Sequence, residues 1–211
     1  LCFYLFKFSP NNFFRWDARK MAFNPGINKN LCKTLSKPYP FDTVDAAKEK
    51  AIAKFGEGFL IDFGIGDPAD ETPQKVRERC KMAVDQRKCS GYPISTGHSE
   101  FRQAVSDWMK KRFGISLSQE DVVATYGAKY ACFHMPFYFL NPNRGDVVLI
   151  PNPGYPPYTD GTLLAGGVPH YLNILRENDF MPLFDSIDAK TAKSAKILFL
   201  NSPHSPTGRA Y

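Results

Sequence analysis

The sequence predicts an α/β fold in which helices cover a largely parallel sheet. Three observations carry the prediction. Short apolar runs such as Asp146-Val147-Val148-Leu149-Ile150 and Lys196-Ile197-Leu198-Phe199-Leu200 read as strands. Stretches of helical periodicity separate such runs, and strands joined through helices must cross over, which makes them parallel and covers the sheet. Polar turns dense in Gly, Pro and Ser follow the apolar runs, and that is where open α/β sheets place ligands.

Taken in order, a helix is expected over Asp42–Phe55, entered through Lys37-Pro38-Tyr39-Pro40-Phe41 and ended by Gly56 and Gly58. Phe59-Leu60-Ile61-Asp62-Phe63 reads as a short strand running into Gly64-Ile65-Gly66. Thr72-Pro73 opens a second helix as a capping hydroxyl and a first-turn proline, with Val76, Cys80, Ala83 and Val84 at helical spacing. A third helix opens at His98-Ser99-Glu100, carries Phe101, Ala104, Val105, Trp108 and Met109 as an apolar stripe, and stops near Gly114. Asp121–Tyr126 reads as a strand, Ala128–Leu140 as a buried helix bent at Pro136, and Asp146–Ile150 as the next strand. A helix over Tyr158–Leu164 and strands over Val168–Leu175 and Ala195–Leu200 complete the alternation. No internal repeat or low-complexity segment interrupts it.

With 43% hydrophobic and 14% aromatic residues among 211, the chain can pack a substantial core. Its net charge of +6 does not predict a nucleic-acid partner, because Lys and Arg are interleaved with acids, as in Lys75-Val76-Arg77-Glu78-Arg79-Cys80-Lys81. Five cysteines are odd in number and lack CxxC spacing, and the four histidines lack HxH or HxxxH spacing. Neither a disulfide framework nor a metal site is predicted, and a cytoplasmic location is expected. Leu1-Cys2-Phe3-Tyr4-Leu5-Phe6 is too short for a membrane span or a signal core. Residues 1–20 read as upstream sequence ahead of a start at Met21, or as a targeting segment.

Five blocks stand out as candidate sites. Tyr126-Gly127-Ala128-Lys129 joins a strand to a helix, where unpaired N–H groups and the positive dipole end attract anions. A lysine in that turn calls for an anion, or else Lys129 points into water. In Pro153-Gly154-Tyr155-Pro156-Pro157-Tyr158, prolines fix the direction of the Tyr155 ring, which either stacks on a planar heterocycle or caps the core. Tyr92, in the loop before the third helix, is open to reading as a surface anchor. Gly64-Ile65-Gly66 permits close backbone approach. Asn201-Ser202-Pro203-His204-Ser205-Pro206-Thr207-Gly208 ends the last strand in an irregular polar turn that His204 is expected to support.

These blocks, in this order, resemble the fold-type I pyridoxal-phosphate-dependent aminotransferases of the aspartate-aminotransferase-like class, with a lean toward the LL-diaminopimelate aminotransferase branch. The resemblance runs from about Tyr39 to Tyr211. It implies a three-layer α/β/α large domain, begun in residues 91–211, an arm and small-domain part in 38–90, and a tail in 1–37. It implies that Gly127, Ala128 and Lys129 hold the cofactor phosphate, that Tyr155 packs on the pyridine face, and that Tyr92 reaches across a homodimer to the neighbouring subunit's phosphate. Gly66 would lie against the substrate carboxylate. Ser205 stands where the family usually has Asn, whose amide bonds the cofactor's phenolic oxygen; serine offers a single donor in a shorter side chain.

The activity so implied is transfer of an amino group between an amino acid and a 2-oxo acid, with pyridoxal 5′-phosphate as cofactor. No catalytic residue is assigned, because the family's Schiff-base lysine, its ring-nitrogen acid and its carboxylate-clamping arginine follow the Pro-Thr-Gly turn. A truncated chain without turnover is therefore expected. A lyase or decarboxylase on the same scaffold, and a non-catalytic fragment that pairs with partner chains, are the competing readings.

Overall fold

The computed structural model describes residues 40–211, less 65, 67, 69, 87–89 and 93, and leaves out the side chains of Pro40 and Phe41. The expectations for the tail, for Cys2, Cys32 and Cys89, and for Ile65 fall outside the described residues. Helix α1 spans Pro40–Phe55 and ends at Gly56, whose φ of 84° leaves the helical region. The strand expected at 59–63 is absent. A 3₁₀ turn covers Glu57–Phe59, and the chain beyond is held locally: Asp62 accepts the Gly64 N–H at 2.7 Å and pairs with Lys48 of α1 at 2.8 Å. No ladder partner lies alongside among the described residues, and Ile61 and Phe63 remain exposed.

Helix α2 spans Gln74–Val84, one residue later than the Thr72-Pro73 signal implied. Pro73 is extended at ψ 136° and serves as the cap position. None of its apolar residues is buried. Helix α3, Ser99–Phe113, ends as anticipated at Gly114, which at φ 72° takes the left-handed conformation. Gly114 N–H bonds Lys110 O, the bond of the αL cap, Ile115 N–H reaches Met109 O, and Lys110, Lys111 and Arg112 lie at the negative helix end. The expected stripe is only partly covered, since Phe101 and Trp108 are exposed.

Residues 121–126 do not form a strand either. Gln119–Asp121 make a 3₁₀ turn boxed by Ser118 and Asp121, and the Ala124 N–H is spent on the Thr96 carbonyl at 3.0 Å. Helix α4, Gly127–Phe139, carries Pro136 in its last turn. It is less buried than expected, with Pro136 its one buried residue and Tyr138 largely exposed.

The sheet begins with β1, Val147–Asn152, continues with β2, Val168–Asn173, and ends with β3, Ala195–Leu198. All pairings are parallel in the order β2-β1-β3, with Val147 level with Val168 on one side and Ala195 on the other. Central β1 is buried from Val147 to Pro151, as an apolar strand flanked on both edges should be. Helix α5, Pro156–Leu164, makes the first crossover, and α6, Ala189–Ser194, capped by the Asp188 carboxylate, precedes β3. On one face of β1, Val148 and Ile150 pack with Leu140, Tyr158 and Ala165; on the other, Val147 and Leu149 meet Leu172, with Ile187 alongside. Helix α4 lies against α5 so closely that a side chain at Gly161 would strike the Phe133 backbone. Among the described residues no helix is long and apolar enough to cross a membrane.

Candidate functional site

Parallel strands end at a common edge, and the loops leaving β1 and β3 meet there. After β1 the chain doubles back so tightly that a side chain on Gly154 would collide with the Pro151 carbonyl. Tyr155 follows in extended conformation as the cap of α5, with Pro156 and Pro157 opening the helix. Its ring is half-buried against the core cluster and stands edge-on to Tyr158, centroids 5.7 Å apart. Tyr158 takes the core-capping role: it is 7% exposed and stacks on Phe199 at 4.2 Å. Tyr155 keeps part of its surface open.

The turn after β3 is closed by its own backbone, His204 N–H to Arg209 O at 2.7 Å and Gly208 N–H to His204 O at 2.6 Å. Buried His204 supports it, as expected, with Nδ1 2.8 Å from Thr207 Oγ1. The same ring also reaches the other loop, Nε2 lying 3.1 Å from the Pro153 carbonyl. Ser205, next to it, is exposed.

Helix α4 supplies the third part. It runs in the same sense as α5: midway along each helix Gly161 lies against Phe133, and just past their ends Gly166 and Gly167 meet Pro142 and Leu140. Since α5 starts where β1 stops, the start of α4 points toward that same edge. No side chain caps it. Gly127 takes φ 77°, and a Cβ there would meet nothing within 4 Å, so the helix start opens onto free space. Ala128 and Lys129 follow, exposed, in the first turn.

Gly66 and Tyr92 stand apart. Both are exposed, Tyr92 completely, and no hydrogen bond or ring contact among the described residues ties either to these loops. The segment after Tyr92 does reach α4, because Thr96 and Gly97 pack on Ala124, just before Tyr126-Gly127. An open hollow of about 420 Å³ between α2 and α3, lined by Arg79, Met82, His98 and Phe101 among others, contains none of the predicted site residues.

One further group, Asp160, escaped the sequence reading. Burial pushes the Asp160 carboxyl of α5 up, and the charge of Lys129 draws it back down. Burial likewise raises the Cys132 thiol and the Tyr158 phenol. Asp160 had one available signal: it is the only acid between Asp146 and Glu177, directly after the Tyr155 loop. Among the described residues no group of three or more His, Cys, Asp or Glu is placed to hold a metal.

A family model for aminotransferase class I and II matches residues 60–211. The chain belongs to that family. Its curated relatives include the LL-diaminopimelate aminotransferases of Desulforudis audaxviator, 43% identical over 174 residues, and Aquifex aeolicus, 40% identical over 171. Each match covers 81% of this chain and 43% of the relative. Among solved structures, an aspartate aminotransferase from Thermus thermophilus superposes with a TM-score of 0.71 at 28% identity, covering 85% of this chain and 46% of that one. The chain thus spans less than half the length of the relatives it matches. Aminotransferases of this family generally depend on pyridoxal phosphate, act on amino and 2-oxo acids, and are often dimers. The donor set suits such a group: an uncapped helix start with a cation in its first turn fits an anion, and a partly open tyrosine ring on the neighbouring helix fits a planar heterocycle.

Proposed function

We propose that residues 91–211 are the first half of the cofactor-binding domain of an aminotransferase that moves an amino group between an amino acid and a 2-oxo acid, using pyridoxal 5′-phosphate. The observation carrying this reading is the gathering of the α4 start, the Tyr155 loop and the Ser205 turn toward one edge of a parallel sheet. Gly127, Ala128 and Lys129 hold the phosphate, through the Ala128 and Lys129 amide N–H groups and an ammonium, with Gly127, whose own N–H goes to the Thr125 carbonyl, leaving room for it. Tyr155 orients the ring by its face and shields it from water on that side. Ser205 donates its hydroxyl toward the ring oxygen, directly or through a water. Gly66 leaves room for the substrate carboxylate. The cofactor, when bound, supplies the electron sink that transamination requires.

Residues 38–90 are read as the arm and small-domain part, and 1–37 as a tail. The working unit is a homodimer in which Tyr92 of one subunit reaches the phosphate of the other, a role compatible with its full exposure. The relatives' names support LL-diaminopimelate as the amino donor to try first.

The test is a titration with pyridoxal 5′-phosphate, in the complete protein that carries this sequence, followed by product analysis. Lys129→Gln and Tyr155→Leu are each expected to weaken binding about tenfold, or about 1.4 kcal/mol. Keto acid release without carbon–sulfur cleavage or CO2 supports transfer over lyase or decarboxylase chemistry. A folded protein that takes up no cofactor would overturn the proposal.

A further inference from the structure

We propose, on the cofactor-cradle reading above, that His204 is a positioning residue: through one hydrogen bond to Pro153 it sets the spacing between the Ser205 turn and the Tyr155 loop. The imidazole is 1% exposed and has a partner on each nitrogen. A carbonyl can only accept, so Nε2 carries the proton and donates to Pro153 O at 3.1 Å. In the neutral ring Nδ1 is then an acceptor, and Thr207 turns its hydroxyl proton toward it at 2.8 Å. Thr207 Oγ1 in turn receives the Arg209 N–H at 3.4 Å.

The two bonds do different work. The Thr207 bond lies within a turn already closed by its backbone. The Pro153 bond spans 51 residues and joins the loops that leave neighbouring strands β1 and β3. Pro153 lies two residues before Tyr155, and His204 directly precedes Ser205. Both groups assigned to the ring therefore hang from the two ends of one imidazole. The imidazole is buried while Pro153 itself is exposed, so losing the bond hands the carbonyl to water and removes the link between the loops, which favours their moving apart.

Two substitutions separate the bonds. His204→Gln sets an amide N–H where Nε2 stood and offers Thr207 no acceptor. His204→Asn sets an acceptor where Nδ1 stood and falls short of Pro153. Pyridoxal 5′-phosphate affinity, and amide hydrogen exchange without cofactor, are measured in the complete protein carrying this sequence. The Gln variant is expected to stay within about threefold of the wild-type Kd and the Asn variant to weaken it about tenfold. The Asn variant alone is expected to speed exchange at Gly154 and Tyr155 together with His204 and Gly208. Equal affinity and exchange in both variants overturn the proposal. So does an equal loss in both with matching falls in melting temperature, which would assign His204 to folding alone. Thr207→Val, which keeps the Pro153 bond, replaces the Asn variant if that one does not fold; a tenfold loss there also refutes the idea. Coupled exchange in a wild type that binds no cofactor leaves the clamp standing and removes the proposed function instead.

Discussion

Gly161→Ala sets packing against helix propensity, because the two push stability in opposite directions. Gly161 is buried in α5 against Phe133 of α4. A Cβ there would lie 3.0 Å from Phe133 C and 3.1 Å from its Cα, with the carbonyl oxygen nearer still. Ordinary contacts begin at 3.4 Å, and the carbonyl oxygen is near enough that the helices must part by about one ångström. The obstacle is backbone and cannot rotate away. Overpacking of this kind costs about 1–3 kcal/mol, while replacing glycine within a helix returns about 0.8–1 kcal/mol. The net expectation is a loss of about 0–2 kcal/mol, or up to about 8 °C in melting temperature. Urea denaturation of wild type and variant reads it directly. A variant about 1 kcal/mol more stable than wild type, as propensity alone demands, would refute the close-packed α4–α5 contact. The same displacement moves Lys129 relative to Tyr155, so cofactor affinity should fall in parallel.

Asp146 accepts the Asn141 N–H at 2.8 Å and its Nδ2 at 3.1 Å, and these bonds, the backbone one first, hold its carboxyl below the ordinary value of 3.8. Its contribution to stability is then complete above pH 3.8 and is lost as pH falls below that value. Asp146→Asn should be less stable than wild type at neutral pH, with the gap closing as acid unfolding is approached; a gap that persists unchanged at low pH contradicts the assignment. Gly97 combines φ 92° with a would-be Cβ 2.5 Å from Ala124 Cβ, so Gly97→Ala should cost about 1–3 kcal/mol. Denaturant midpoints within about 0.5 kcal/mol of wild type would show that the Thr96–Ala124 junction is not rigid.

Local chemistry announced itself well. The glycine stop of α3 and the apolar run of β1 are decided within a few residues, by φ and by water's rejection of Val147–Ile150. The prolines that open α5 at Pro156 read instead as loop braces, with the helix expected only from Tyr158. The misread strands, 59–63 and 121–126, have the right composition but lack an adjacent edge among the described residues. Their donors go elsewhere, to Asp62 from Gly64 and to Thr96 from Ala124. A strand is a property of two segments, and one segment cannot report whether its partner exists.

The same division runs through the candidate site. Gly127, Lys129 and Tyr155 were legible as candidates because turn residues, an apolar run and a helix start lie together in the chain, and Ser205 only through the family resemblance. Their convergence was not legible from spacing. It follows from parallel pairing of β1 with β3, from the fit of Gly161 under Phe133, and from one imidazole spanning His204 to Pro153. Such contacts join residues tens of positions apart, and their energies depend on burial that arises only once the layers have closed. Sequence alone named the groups able to hold an anion and a flat ring; packing alone decided which of them share an edge.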